Sequence, residues 1–214
     1  MRGVFAHRKG EVLQDELAVA AFWRKLGLEV ERLEEENDRQ SRLPDLLLSL
    51  DGAPFAYCEV KTMQKSSVSI RILHDDGTAE ERNEWTTRTV EERLASDLTT
   101  AIQQLNYGNR DRRLPNFAVL VNRDPEASPA TLHALFQRPL PKSPRSLKLK
   151  REAWIVDAIQ DFRRNVEFCL WMEPDVAGSL VLTAYFVRDP ELIAKLRGTS
   201  QLDLDKLVSL ECAA

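Results

Sequence analysis

Residues 42–63 read RLPDLLLSLDGAPFAYCEVKTM, and the way this stretch pairs decides the architecture. Two apolar runs, Leu46–Leu50 and Phe55–Thr62, flank Asp51-Gly52, a strong local signal for a β-hairpin. The hairpin nonetheless carries Asp45 at one end, and Glu59 and Lys61 within the returning strand. Charges in a half-buried strand are costly unless they are paired or bind something. Side chains alternate along a strand, so Tyr57, Glu59 and Lys61 share one face while Cys58, Val60 and Thr62 share the other. Asp45 stands seven residues before Gly52 and Glu59 seven after it. Pairing centred on Gly52 therefore sets Asp45 opposite or nearly opposite Glu59. Directly opposed residues have Cβ atoms only ~5 Å apart, and like charges there repel. A cation between the two carboxylates would remove that repulsion.

Carboxylate and carbonyl oxygens are the ligands that Mg²⁺ and Mn²⁺ prefer. Lys61, on the Glu59 face, would stand beside such an ion, where it could position an attacking water or stabilise charge on a phosphate. Together these residue types equip a site for metal-assisted phosphodiester hydrolysis. A surface strand bearing an ordinary Glu-Lys pair is the plainer explanation of the same residues.

Around the hairpin, Glu11–Leu26 places Val12, Leu13, Leu17, Ala20, Ala21, Trp23 and Leu26 near helical spacing, and Gly27 ends the helix. Leu28–Leu33 alternates as a strand. Ser66–Leu73 is a further strand candidate. Thr89 and Glu92 form a capping box that opens a helix ending at Gly108. Asn116–Asp124 reads as a strand buried on both faces. Ser128-Pro129 starts a short helix through Leu135. Arg151–Arg164 fits a helix, although AWIV (154–156 with its preceding Ala153) fits a strand equally. The segments VEFCLWME and SLVLTAYFV read as two strands joined near Pro174–Gly178, and Asp189-Pro190 opens a last helix to Leu196. The order implies an α/β fold, a mixed sheet flanked by helices.

At this point the residues resemble a known group. Pro44-Asp45 followed by Glu59-Val60-Lys61 is similar to the signature of the PD-(D/E)XK nuclease superfamily. The element order also resembles its restriction-endonuclease-like αβββαβ core, here residues 10–124, with 125–214 as a C-terminal α+β extension of a single domain. The resemblance implies a Mg²⁺- or Mn²⁺-dependent nuclease acting on DNA. Asp45 and Glu59 would bind the metal with the Val60 carbonyl, and Lys61 would position the water. Relatives similar to Holliday-junction resolvases and Mrr-like enzymes carry a Glu on the first helix, which maps to Glu16, with Glu11 as the other candidate. Gln103 and Tyr107 match a Gln-x-x-x-Tyr pattern of the exonuclease-like branch, with Gln103 near the active site and Tyr107 toward nucleic acid. The segment 64–88 exceeds the minimal core and is either an inserted hairpin or a surface excursion.

Composition sets the frame for these expectations. The 214 residues, 43% hydrophobic and 30% charged, suit one soluble domain, large enough to bury roughly 70% of its unfolded surface. No apolar run approaches the ~20 residues of a membrane span, and MRGVFAHRKGEV has no signal-peptide core. Cys58, Cys169 and Cys212 suggest neither a disulfide framework nor a zinc site, so a cytoplasmic location is expected. His7, His74 and His133 are isolated, and no phosphate-binding Gly-rich loop is present. The net charge of −4 does not advertise nucleic-acid binding, but Arg138–Arg151 holds six basic residues and no acid. Lys142, Arg145, Lys148, Lys150 and Arg151 are therefore candidate phosphate contacts, or part of a solvated Pro-rich loop. Trp154 and Trp171 could stack on bases or fill the core. A catalytically silent module that binds nucleic acid or a protein partner is the alternative function, and the oligomeric state, a homodimer included, stays open.

Overall fold

A computed structural model describes residues 3–33, 43–64, 67–73, 79–85, 88–138, 147–199 and 208–209. The chain runs α1 (Gly3–Lys25), β1 (Glu29–Arg32), β2 (Leu46–Leu50), β3 (Ala53–Met63), β4 (Ser67–Leu73), β5 (Ala79–Trp85), α2 (Val90–Gly108), β6 (Asn116–Asn122), α3 (Pro129–Phe136), α4 (Leu147–Asn165), β7 (Phe168–Pro174), β8 (Leu180–Val187), α5 (Pro190–Thr199) and β9 (Val208–Ser209). A mixed sheet in the order β1-β2-β3-β6-β7-β8-β9 forms the centre. Its β3, β6 and β7 are mutually parallel, while β1-β2, β2-β3 and β7-β8 are antiparallel. The fold class is thus α/β, as the sequence implied. Among the described residues no helix is long and apolar enough to cross a membrane.

Helices cover both faces. On one face Val19, Ala20 and Trp23 of α1, with Leu192 and Leu196 of α5, pack on Leu46, Leu48, Cys58, Val60, Phe117 and Phe168. On the other, Leu94, Leu98, Ile102 and Leu105 of α2 join α3 and α4 over Ala118, Leu120 and Trp171. The central β6 is buried along its whole length, as expected of a parallel strand covered on both sides. Gly27 ends α1 with φ +86°, a left-handed conformation that glycine adopts without strain. The Thr89 capping box forms: Glu92 Oε2 accepts the Thr89 N–H at 2.9 Å.

The hairpin reaches its register through a bulge. Asp51 and Gly52 both have positive φ, 52° and 75°, the requirement of a two-residue type I′ turn. Such a turn pairs Leu50 with Ala53 and Ser49 with Pro54. Continued unchanged, that register would set Asp45 opposite Cys58, on the wrong face. Instead the register shifts between Leu48 and Ser49, so that Leu48 pairs with Ala56 and Phe55 is the extra residue. One inserted residue reverses which side chains face which side. Beyond it Leu46 pairs with Cys58, and Asp45 falls beside Glu59.

The structure decides several points that the sequence left open. The buried stripe of α1 is Asp15, Val19, Ala20 and Trp23, whereas Leu13 and Leu17 are exposed. Asp15 is drawn inward because its carboxylate accepts from Thr62 Oγ1 at 2.8 Å and from Arg123 Nη2 at 2.6 Å. The segment containing Trp154 is helical, within α4. The 64–88 excursion does contain a strand pair, and among the described residues β4 and β5 pair with each other alone. In residues 125–214, β7 pairs directly with β6 and continues the same sheet.

Candidate active site

The site lies where β3 outruns β2. The β2–β3 ladder ends at the Leu46–Cys58 pair, while β3 continues beside β6 as far as Met63. From Glu59 onward one edge of β3 has no strand partner among the described residues, and Asp45 occupies that edge. Its Oδ2 accepts the Val60 backbone N–H at 2.7 Å, replacing the ladder bond that β2 no longer supplies. The N–H and C=O of a strand residue leave on the same side, so the Val60 carbonyl also projects toward Asp45.

The three signature side chains are together. Glu59 is completely buried, and its two carboxylate oxygens accept no directed hydrogen bond. Lys61 Nζ abuts Glu59 Oε1 as an ion pair and donates to Gln104 Oε1 at 2.5 Å. Burial pushes the Glu59 carboxyl up to about 8; the neighbouring Asp45 charge adds to the rise and Lys61 opposes it. Burial likewise raises Asp45 to about 6, against the opposing effect of the Val60 N–H. The Asp45 and Glu59 carboxyls are close enough to hydrogen-bond each other when one holds a proton. Two carboxylates thus face one another in a place that disfavours their charge, the signature of a pair that needs a cation or a proton.

Glu16, on α1, stands near enough for its charge to raise Asp45 further, and it is paired with Arg32 Nη2 at 2.7 Å. The side chain of Glu11 lies outside the described residues. Gln103 is exposed and does not meet Lys61; the neighbouring Gln104 does. Successive helix residues are 100° apart, and α2 turns Gln104 inward because Gly108, one turn later, lies against Pro44. Tyr107 shares the outward side with Gln103 and is 43% exposed. Asp97, two turns before Gln104 on α2, was not singled out in the sequence. Its carboxyl is raised to about 6 by burial, with Lys61 and Arg93 opposing the rise. Spacing from Gly108 (Gln104 at four residues, Asp97 at eleven) is the signal that would have found both, once the Pro44 contact fixed which side of α2 faces β3.

The basic run falls largely outside the described residues. Lys142 and Arg145 lie outside the described residues, as do the Lys148 side chain and the whole of His74–Asp76. Lys150 is exposed, and Arg151 is engaged by Glu92. Arg138 lies 3.7 Å from Glu91, so the acidic first turn of α2 takes up two of the six bases. Trp171 is core, and Trp154 is partly exposed on α4.

Among the described residues no three His, Cys, Asp or Glu side chains gather into a metal cage. The set available is smaller: Asp45, Glu59 and the Val60 carbonyl. It fits Mg²⁺ or Mn²⁺, which commonly take one or two protein carboxylates and keep several waters, and the buried Glu59 carboxylate, with Lys61 against Oε1, is where such a cation would further relieve the cost of burial. No protein-family model, curated protein or solved structure matches the chain.

Proposed function

We propose that the protein is a divalent-metal-dependent nuclease of the PD-(D/E)XK type, with DNA as its substrate. The observation that carries this reading is the opposed Asp45–Glu59 pair at the open edge of β3, with Lys61 against it. The order α1-β1-β2-β3-α2-β6, with β1-β2-β3-β6 adjacent in the sheet, supports the restriction-endonuclease-like fold. The hairpin β4–β5 is then an insertion, and β7 and β8 extend the sheet on the far side of β6.

Asp45, Glu59 and the Val60 carbonyl would hold Mg²⁺ or Mn²⁺, which supplies Lewis acidity toward a phosphodiester oxygen and toward water. Lys61 holds the attacking water beside Glu59 and stabilises the added negative charge as phosphorus accepts the fifth oxygen. The water oxygen forms the new P–O bond as it gives up a proton to solvent, the ester P–O bond breaks, and the departing sugar oxygen takes up a proton from solvent. Gln104, by accepting from Lys61 Nζ, fixes the ammonium against the carboxylates so that little reorganisation is needed. Glu16 adds negative charge near the pair, which favours a bound cation and also raises the Asp45 carboxyl.

The test is cleavage of plasmid and linear DNA with Mg²⁺ or Mn²⁺, beside Glu59→Gln and Lys61→Ala. Cleavage by the wild type that both substitutions abolish, with circular dichroism unchanged, is the expected result. Wild-type protein that cleaves neither DNA nor RNA, and whose Mn²⁺ titration shows no heat, would overturn the proposal.

A further inference from the structure

A second feature lies one strand pair away from the carboxylates. Leu47 and Tyr57 are directly opposed across β2 and β3, on the same sheet face as Asp45 and Glu59 and two residues further along, or about 7 Å. They floor a cavity of about 540 Å³ whose walls come from Tyr107, Arg110 and Arg113 at the end of α2 and just after it, with Pro54 at the far side. That volume suits one small ligand. The Arg110 guanidinium lies over the Tyr107 ring, 4.3 Å from its centroid, so an aromatic face and a cation are already arranged as one platform. Arg113 pairs with Asp111 at 3.2 Å, so the rim carries two guanidinium groups against one carboxylate. Tyr107 is a large aromatic side chain left substantially exposed beside the active site.

We propose that this cavity holds one unpaired nucleotide of a single strand adjoining the phosphodiester at Asp45 and Glu59; the inference rests on the nuclease reading for its position along the strand. The Leu47–Tyr57 floor and the Tyr107–Arg110 platform beside it offer apolar and aromatic surface on which a base can stack, and stacking is available to any base whose faces are not hidden in a duplex. The guanidinium rim suits the flanking phosphates, which arginine recognises through several N–H donors at once. The distance of two strand residues is comparable to one extended nucleotide, so a base in the cavity and a phosphate at the carboxylates belong to neighbouring positions of one strand.

The test is fluorescence anisotropy in EDTA, which separates binding from cleavage, with labelled oligothymidylate, oligouridylate, a blunt duplex of the same length and an abasic oligomer. The expected result is tighter binding of at least one of the two single strands than of the duplex or the abasic oligomer. Tyr107→Ala and Arg110→Ala should each weaken it on the order of tenfold, Tyr107→Phe should retain it, and Mn²⁺ titrations should be unchanged in all three variants. Wild-type affinity in Tyr107→Ala and Arg110→Ala, a preference for duplex, or no binding of either single strand would overturn the subsite. If Mn²⁺ binding and cleavage are absent while Tyr107-dependent binding persists, the nuclease reading falls and the subsite stands. If cleavage is intact and both variants bind normally, the reverse holds.

Discussion

Asp45 Oδ2 accepts the backbone N–H of Val60 at 2.7 Å, which makes this carboxylate both the end of the hairpin ladder and a member of the candidate metal site. The two roles separate by substitution. Asp45→Asn keeps an oxygen acceptor for Val60 and loses the charge, so it should fold with a melting temperature near that of the wild type but show no Mn²⁺ heat and no cleavage. Asp45→Ala leaves the Val60 N–H without its acceptor, at a cost of ~1–3 kcal/mol for a buried donor, and should melt below Asp45→Asn. Thermal melts beside Mn²⁺ calorimetry decide it. Retained Mn²⁺ binding in Asp45→Asn would remove Asp45 from the metal site.

The raised carboxyls of Glu59, Asp45 and Asp97 fix a direction for pH dependence. Each holds its proton more tightly in the folded protein than in the unfolded chain, so the folded form loses ground as pH rises through the interval between the two values. For Glu59 that interval runs from 4.5 to about 8, and for Asp45 from 3.8 to about 6. Metal-free protein in EDTA should therefore resist urea better at pH 5.5 than at pH 8.5, the two pH values being set by the interval above. Mn²⁺, which competes with the proton, should bind more tightly at the higher pH. Glu59→Gln cannot titrate and should show a flatter profile; an unaltered slope in that variant would remove Glu59 as its source.

What the sequence made legible is local. The Asp-Gly turn, the Thr89 capping box and the unbroken apolar run of β6 each declare themselves within a few residues, and together they order the elements. The alignment of Asp45 with Glu59 is different, because it depends on Phe55 being an extra residue, and counting about Gly52 arrives there only because the bulge offsets the two-residue turn. The inward side of α1 is not legible locally, because Leu13 and Leu17 satisfy helical spacing while the buried Asp15 is polar; its partners, Thr62 and Arg123, are 47 and 108 residues away. β5, with sequence AEERNEW, has no apolar alternation to reveal a strand, and among the described residues its partner is β4. Adjacent glutamines at 103 and 104 differ only in which way the helix faces, and long-range packing sets that.

Gly108 is the point at which α2 is pressed against the Pro44-Asp45 turn. A Cβ at position 108 would overlap the Pro44 ring, so either the turn or the helix end must move. Overpacking of this kind costs ~1–3 kcal/mol. Since Asp45 follows Pro44 and Gln104 precedes Gly108 by one helical turn, Gly108→Ala should lower both melting temperature and cleavage rate. Gly52→Asn is the control: it meets no neighbouring atom, and Asn tolerates the positive φ of that turn. Equal melting temperatures and rates for Gly108→Ala and the wild type would mean that the approach of α2 to Pro44 does not set the site.

Lys61 is held from α2 by Gln104 at 2.5 Å, while Gln103 faces solvent. If that hydrogen bond positions the ammonium for catalysis, its loss should slow turnover without weakening substrate binding. Gln104→Ala should therefore lower kcat on the order of tenfold, within the range seen when a supporting partner of a catalytic group is removed, and leave KM close to the wild-type value. Gln104→Glu keeps an acceptor for Lys61 Nζ and should recover part of the rate. Gln103→Ala should match the wild type in both constants. Steady-state cleavage of a labelled oligonucleotide measures all three variants on one scale. Equal losses at 103 and 104, or none at 104, would show that the facing of α2 is not what orients Lys61.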